Sequence, residues 1–388
     1  MFSDRTNWRL SSNRFTQALE EARLDGNKIL DLSASNPTRI GLRYDESAIL
    51  GSLASPKSID YDPQSKGLRA AREAVANYYR DEHAAHLDPE HLVLTSSTSE
   101  GYSYVFGLLC NPGDELLVPK PSYPLFDFLA DLEDVKLVPY PLIYDHGWQM
   151  DFPSLERAVT PRTRGVVVVH PNNPTGSYVQ AHELALLNAF CRRHGLALIV
   201  DEVFLDYVHD GKKRRTFAAN EDVLTFTLSG LSKISALPQM KVAWAAASGP
   251  RGEVDTAMSR LEVIADTYLS MNAPMQWAMP VLLQQRHSIQ QQLLDRVLAN
   301  LAELDRQLAA QKTCGRLNVE GGWYAVLRVP VTRSDEDLAI EVLKEKSVLV
   351  HPGHFYDFPG EGHLVLSLIA PEEDFRQGIR GVLELLNP

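Results

Sequence analysis

GVVVVHPNNPTG, residues 165–176, and LALIVDE, residues 196–202, decide the fold class. In each stretch a run of apolar residues leads directly into polar residues. Runs that are apolar on both faces are typical of strands in parallel sheets covered by helices. Residues 180–193, between the two stretches, have a helical pattern. The pair therefore predicts a strand–helix–strand unit of an α/β protein.

The same alternation extends to both sides of this unit. Further apolar runs of strand length are LVLT at 92–95, ELLVP at 115–119, VKLVPY at 135–140, VLTFTLS at 223–229 and KVAWAAA at 241–247. Helical patterns lie between them, for example at residues 99–109. This alternation predicts a large domain with a mainly parallel sheet and helices on both faces.

The pattern changes after a long helical stretch at residues 276–311. A predicted strand pair at 317–328, a helix at 336–345, the strands SVLVH and HLVLSLIA and a closing helix follow. This order is typical of a smaller α+β domain.

We accordingly predict a large domain over residues 46–275 and a small C-terminal domain over residues 276–388. Residues 1–45 contain few strand signals. We expect this N-terminal segment to pack on the small domain or on a partner subunit.

Composition excludes several classes of protein. The chain has 388 residues, 44% of them apolar, and a net charge of −12, which disfavours nucleic acid and anionic membranes as partners. Its three cysteines are widely spaced, which argues against disulfides or a zinc site and for the reducing cytoplasm. Neither a secretory signal nor a membrane span is predicted.

Candidate functional residues follow the predicted strands, because ligands of open α/β sheets bind at the carboxyl ends of the strands. They are residues 96–99 after LVLT, Tyr123 after ELLVP, Asn172 and Asn173 after VVVVH, Asp201 and Glu202 after LALIV, and Gly230, Ser232 and Lys233 after TFTLS. Taken singly, each has a plainer explanation as a helix N-cap, a turn residue or a surface lysine. Together they bring an anion site, an aromatic ring, an amide, a carboxylate and an amine to one sheet edge.

That set of groups suits pyridoxal phosphate (PLP). An amine forms a Schiff base with the aldehyde of this cofactor. A carboxylate keeps the pyridine nitrogen protonated, so that the ring accepts electrons. An amide can bond to the ring oxygen, an aromatic ring can stack on the cofactor, and free N–H groups at a helix start can bind its phosphate. The residues therefore predict a PLP-dependent enzyme.

From about residue 31 to its end, the chain resembles the fold-type I PLP-dependent enzymes of the class I/II aminotransferase family. Six segments in the family's order carry the resemblance: YDPQSKGLRAAREAVANYY, LTSSTSEG, NPGDELLVPKPSYP, HPNNPTG, LIVDEVF and SGLSKISALPQMK. The resemblance implies a large domain of the seven-stranded type, a smaller α+β domain, and transfer of an amino group between an amino acid and a 2-oxo acid.

The resemblance also implies roles for individual residues. Lys233 is the catalytic lysine that forms the Schiff base and moves protons. The implied cofactor-binding residues are Tyr61, Thr98, Ser99, Tyr123, Asn173, Asp201, Ser232 and Lys241. Among these, Tyr61 reaches the phosphate of a neighbouring subunit, which implies a homodimer with shared active sites. The substrate candidates are Asn36, Arg39 and Tyr324, and no metal site is predicted.

Four positions depart from the family pattern. Lys241 replaces an arginine that holds the phosphate, Phe204 replaces a tyrosine that bonds to the ring hydroxyl, and Gly230 stands where a hydroxyl is common. Val365 takes the place of an arginine that binds the substrate carboxylate, and Arg39 is the candidate substitute if it is not simply a surface residue. Other residues that could face the substrate are Trp323, Tyr324, Phe355 and Tyr356, and the loop histidines His351 and His354.

Because valine cannot bind a carboxylate, a second PLP-dependent reaction stays open beside transamination: a lyase, a decarboxylase or a cyclising enzyme. An effector-binding domain of the aminotransferase-like regulators is disfavoured, since the chain has no winged-helix module or basic linker. A nicotinamide-dependent enzyme is also disfavoured, because no GxGxxG follows a predicted strand.

Overall fold

The computed structural model describes residues 1–8, 11–26, 28–123 and 125–387. The helices are α1 (Arg14–Leu24), α2 (Glu46–Ser52), α3 (Arg69–His83), α4 (Thr98–Leu109), α5 (Leu125–Leu132), α6 (Phe152–Ala158), α7 (Ala181–His194), α8 (Leu231–Ile234), α9 (Arg251–Tyr268), α10 (Ala273–Gln284), α11 (Arg286–Ala309), α12 (Asp335–Lys346) and α13 (Glu372–Leu386). The strands are β1 (Leu30–Asp31), β2 (Leu92–Thr95), β3 (Glu115–Lys120), β4 (Lys136–Tyr144), β5 (Trp148–Met150), β6 (Thr163–Val169), β7 (Ala197–Asp201), β8 (Thr225–Gly230), β9 (Ala243–Ser248), β10 (Gly315–Arg316), β11 (Tyr324–Arg328), β12 (Val348–Leu349), β13 (His351–Pro352) and β14 (His363–Ser367).

A mixed sheet with the order β2-β9-β8-β7-β6-β3-β4-β5 forms the centre of the fold and, in the described ranges, has eight strands. The strands from β8 to β4 in this order are parallel, while β9 and β5 run antiparallel to their neighbours. The predicted α/β class is confirmed. The resemblance implied seven strands. The eighth is β5, a three-residue edge strand that pairs with the end of the long strand β4.

Helices cover both faces of this sheet because successive strand residues point to opposite sides. On one face, Val167 of β6 and Ile199 of β7 pack against α4, α5 and α9. On the other face, Val166 and Leu198 pack against α6 and α7. All four side chains are fully buried, which explains why these strands are apolar at every position.

The C-terminal part of the chain forms a second, antiparallel sheet with the order β10-β11-β14-β13. The N-terminal segment packs against this part: β1 pairs in parallel with β12, and Phe15 and Leu32 belong to the same buried cluster as Val365. Within residues 1–45, positions 9, 10 and 27 lie outside the described residues. The boundaries at residues 45 and 275 stay predictions.

The long helix predicted over residues 276–311 is divided into α10 and α11 at Gln285. The side chain of Arg286 donates a hydrogen bond to the Leu283 carbonyl oxygen (2.9 Å), which a continuous helix would use for the amide of residue 287. Arg286 also pairs with Glu82 of α3 (2.7 Å). Residues of α10 belong to the same buried cluster as residues of α3, whereas α11 contributes to the cluster of the C-terminal part. Helix α10 thus packs with α3, and helix α11 packs with the C-terminal part of the chain.

Candidate active site

A cavity of about 320 Å³ lies where the carboxyl ends of β7 and β8 meet the start of α4, the N-terminal segment and the C-terminal sheet. Its size is within the range of about 300–1,000 Å³ that is usual for small-molecule sites. The described residues that line it are Ser33, Ser35, Thr98, Tyr102, Tyr123, Phe126, Val169, Asn173, Asp201, Val203, Phe204, Gly230, Ser232, Lys233, Ala243, Tyr324, His351 and Tyr356.

Lys233 reaches this cavity from the short helix α8, which begins where β8 ends. Tyr207 anchors the backbone by donating a hydrogen bond to the Lys233 carbonyl oxygen (2.6 Å). The Nζ atom lies 4.9 Å from the ring centre of Trp323 and 5.5 Å from that of Phe204. Burial lowers the pKa of Lys233 to about 8, although the charge of Asp201 acts in the opposite direction. The amine is therefore much closer to its reactive, unprotonated form than an exposed lysine.

Asp201 is the last residue of β7, and its carboxylate is held in place by two donors. The Val203 amide donates to Oδ1 (3.0 Å) and the Tyr102 hydroxyl donates to Oδ2 (3.2 Å). Burial raises the pKa of Asp201 to about 6, while these hydrogen bonds and the charge of Lys233 act in the opposite direction. The carboxylate is ionised at neutral pH and can pair with a cationic group in the cavity.

The predicted anion site lies at the start of α4. Ser97 is the N-cap, since its hydroxyl oxygen accepts a hydrogen bond from the Glu100 amide (3.2 Å). The plainer explanation thus holds for Ser97, whereas Thr98 lines the cavity. Ser99 belongs to the same first turn but is not part of the cavity wall, and Ser232 contributes a hydroxyl from α8. The first turn of a helix has free N–H groups and a partial positive charge, which suit a phosphate.

The residues present fit pyridoxal phosphate. Asn173 is only 8% exposed, and its Oδ1 atom is buried without a hydrogen-bond partner among the described residues. A bound molecule with a polar ring substituent would satisfy such an atom. Lys233 can meet an aldehyde, Asp201 a pyridine nitrogen and the first turn of α4 a phosphate, and all three line one cavity.

Several predicted residues lie outside the cavity wall. Tyr61 is 84% exposed and borders a different, larger cleft of about 560 Å³. Lys241 is exposed as well. Asn36 and Arg39 are also exposed. The Asn36 side chain turns back to accept hydrogen bonds from the Thr38 amide (3.0 Å) and hydroxyl (2.7 Å). In this chain the N-terminal segment contributes Ser33 and Ser35 instead.

Sequence reasoning missed other members of the wall. Tyr102 follows Thr98 by one helical turn, so the spacing of four residues could have identified it. Ser33 and Ser35 have no comparable signal, because they reach the cavity only through the pairing of the N-terminal segment with the C-terminal part. His351 and Tyr356, both named from the sequence as residues that could face the substrate, line the cavity as well. Tyr123 and Tyr324, both predicted, do line the cavity.

Comparison with known proteins identifies the class. The family of class I and II aminotransferases matches residues 16–377, and the chain belongs to it. Its members depend on pyridoxal phosphate, so the predicted PLP-dependent aminotransferase that acts on amino acids and 2-oxo acids is confirmed.

The chain is similar to the glutamate-pyruvate aminotransferase AlaA of Haemophilus influenzae, with 28% identity over 87% of this chain and 86% of the relative. It is also similar to the S-alkyl-thiohydroximate lyase SUR1 of Arabidopsis thaliana, with 26% identity over 79% of this chain and 69% of the relative. The solved alanine aminotransferase of Pyrococcus furiosus has the same fold (TM-score 0.90, 21% identity, complete coverage of both chains). In the described part of the chain, no helix is both long and apolar enough to cross a membrane.

Proposed function

We propose that this aminotransferase exchanges amino groups between amino acids such as glutamate and alanine and 2-oxo acids such as pyruvate. In this proposal Lys233 carries the cofactor as a Schiff base. The proposed substrate class is supported by the similarity to enzymes that bear these names. The proposal rests on one observation: Lys233, Asp201 and Asn173 line the same cavity, beside the start of α4.

When bound, pyridoxal phosphate supplies an aldehyde that condenses with amines and a ring that withdraws electrons from the neighbouring carbon. Lys233 acts as the proton carrier: its Nζ atom accepts the proton from the Cα atom of the substrate and returns it at a neighbouring carbon. A pKa near 8 suits both directions of transfer at neutral pH. The rings of Trp323 and Phe204 lie close enough to stabilise the amine while it carries the extra proton.

The other residues of the cavity would hold and orient the cofactor. Asp201 would keep a proton on the pyridine nitrogen, with Tyr102 and the Val203 amide fixing the carboxylate. Asn173 would donate to the ring oxygen through its amide N–H group or accept through Oδ1, which has no hydrogen-bond partner in the described part of the chain. Tyr123, half-exposed at the cavity edge, would cover one face of the ring.

The proposal includes a homodimer in which Tyr61 completes the phosphate site of the partner subunit. Its support is the exposure of Tyr61, beside an open cleft that also contains Trp277 and Asn272. A mixed dimer tests this point. A Lys233→Ala subunit and a Tyr61→Ala subunit, each of low activity alone, should regain up to a quarter of wild-type activity on mixing, because some dimers then have one complete site. Unchanged activity after subunit exchange would contradict shared sites.

We also propose that the protein acts in the cytoplasm. Cys110, Cys191 and Cys314 are free thiols in the structure. Free thiols favour the reducing cytoplasm as the place of action.

The decisive experiment is an absorption measurement on the purified protein loaded with pyridoxal phosphate. Glutamate or alanine should convert the visible band into that of the amino form of the cofactor, and pyruvate or 2-oxoglutarate should restore it. Lys233→Ala should bind the cofactor without forming the visible band. A wild-type spectrum that no amino acid converts, together with breakdown of a substrate into ammonia or carbon dioxide, would favour the lyase or decarboxylase alternative.

A further inference from the structure

We propose that His351 binds the carboxylate of the amino acid substrate, with Tyr356 holding the imidazole ring in position. The inference rests on the proposed function, since it requires a substrate that brings a carboxylate into the cavity. It concerns which substrates are accepted rather than how the amino group is moved.

The charges of the cavity wall give the first reason. A carboxylate that leaves water needs a cationic or hydrogen-bonding partner. Among the described residues that line the cavity, Lys233 is the only lysine or arginine, and its amine is required for the covalent bond with the cofactor. The imidazole of His351 is the remaining side chain of this wall that can take up a positive charge at ordinary pH.

The strand register gives the second reason. His351 of β13 lies directly opposite Val365 of β14, and Val365 in turn lies opposite Val326 of β11. Opposite residues of antiparallel strands project from the same face, with Cβ atoms about 4.5–5.5 Å apart. Tyr324 projects from this face as well, because it is two residues from Val326. Since Val365 is buried and apolar, His351 and Tyr324 are the polar groups that this face presents to the cavity.

The ring of His351 is held by its neighbours. Its Nδ1 atom lies 3.1 Å from the hydroxyl of Tyr356. When Tyr356 donates this hydrogen bond, the proton of the neutral ring lies on Nε2, which makes no hydrogen bond to the described residues. The rings of Phe15 and Phe355 contact the imidazole edge to face or at a tilt, with centroids 6.5 and 5.6 Å away. Nε2 is thus available to donate to a ligand.

The groups around His351 determine how binding depends on pH. Burial lowers the pKa of His351, and the charge of Asp31 on β1 acts in the opposite direction. The hydroxyls of Tyr324, Tyr356 and Tyr123 stay uncharged at neutral pH, because burial raises the pKa of each. The free imidazole is therefore mainly neutral at pH 7, whereas a bound carboxylate favours its protonated form. The contact between His351 and the carboxylate then takes up a proton, and its contribution to substrate binding weakens as the pH rises.

The test compares L-alanine with ethylamine, which lacks the carboxylate, in the first half-reaction followed by cofactor absorption. His351→Ala should raise the dissociation constant for alanine by about 10- to 100-fold, the range expected for loss of a charged hydrogen bond, and leave ethylamine unchanged within about twofold. His351→Arg should restore alanine binding and remove the difference in pH dependence between alanine and alaninamide, which lacks the carboxylate charge. His354→Ala, an exposed histidine of the same loop, is the matched control and should behave as wild type.

Unchanged alanine binding in His351→Ala, or an equal loss for alanine and ethylamine, would overturn the proposal. If that variant does not fold, the test uses wild-type protein and compares the dissociation constants of alanine and alaninamide as the pH rises. The proposal is contradicted if alanine binding does not weaken relative to alaninamide binding. Failure of the proposed function has a different signature, because wild-type protein would then bind the cofactor and convert no amino acid at all.

Discussion

Gly230 lies directly opposite Ala243 in the antiparallel pairing of β8 with β9, at the edge of the cavity. A Cβ atom at Gly230 would come within 2.8 Å of the Ala243 Cβ and 2.9 Å of the Val242 carbonyl oxygen. The resemblance to the class I/II aminotransferases implied a hydroxyl residue at this position. The Ala243 methyl group and the backbone of residues 242 and 243 together leave no room for a side chain at residue 230, which explains why this chain has glycine there.

We predict that Gly230→Ser lowers the free energy of unfolding by about 1–3 kcal/mol, the usual cost of overpacking, and weakens cofactor binding because β8 leads directly into Lys233. Thermal unfolding and a cofactor titration measure the two effects. Adding Ala243→Gly should recover only part of the loss, because the Val242 carbonyl oxygen and the Ala243 Cα atom stay 2.9 Å from the added Cβ atom. A double variant as unstable as Gly230→Ser alone would show that the contact with Ala243 is not the cause.

Phe204→Tyr should lower the pKa of the nitrogen that joins Lys233 to the cofactor. Phe204 lines the cavity beside Lys233, so a hydroxyl placed there can donate a hydrogen bond to the ring oxygen of the cofactor and stabilise its anionic form. A pH titration of the visible band compares the variant with wild type. Coincident titration curves would contradict this prediction. Phe217→Tyr, a buried phenylalanine outside the cavity wall, controls for the added hydroxyl.

Replacing Asp201 should reduce kcat far more than replacing Tyr102, which donates a hydrogen bond to the Asp201 carboxylate. We expect Asp201→Asn to lower kcat by about 100-fold or more, because the charge opposite the pyridine nitrogen is lost. Tyr102→Phe removes one of two donors to that carboxylate and should cost less than about tenfold. Steady-state kinetics at saturating cofactor provide the measurement.

Tyr140→Phe is the control for these variants, since its hydroxyl donates to the Val167 carbonyl oxygen in the core (2.9 Å) and its loss should affect only stability. Equal rates for Asp201→Asn and Tyr102→Phe would show that the charge of Asp201 has no special part in the reaction.

Cofactor loading should accelerate as the pH rises through about 8. Burial lowers the pKa of Lys233 to about 8 in the cofactor-free protein, and only the unprotonated amine attacks an aldehyde. The unprotonated fraction grows about tenfold between pH 7 and pH 9. Stopped-flow absorption of the apoprotein mixed with pyridoxal phosphate follows the reaction, with Lys233→Ala as the blank. A rate that keeps rising towards pH 10.5 would show that the amine behaves as an exposed lysine.

The core of the candidate site could be predicted because it depends on local rules. Asp201 and Lys233 follow strands, and Thr98 begins a helix after another strand. In a parallel sheet the strand ends meet at one edge, so these residues converge without any knowledge of long-range packing. The same reasoning could not place Arg39, because Asn36 uses its side chain to cap a short turn and the segment presents Ser33 and Ser35 to the cavity instead.

The sequence by itself therefore determined the α/β class, the cofactor and the residues at the strand ends, since periodicity and the position of polar residues after apolar runs are local properties. From the wider set of residues that the sequence named as able to face the substrate, only the tertiary structure decided which ones form the opposite wall. His351, Tyr324 and Tyr356 reach the cavity through the register of β11, β13 and β14 and their packing on the N-terminal segment. Those pairings join residues that are far apart in the chain, and the strand pattern alone does not specify a register across such distances.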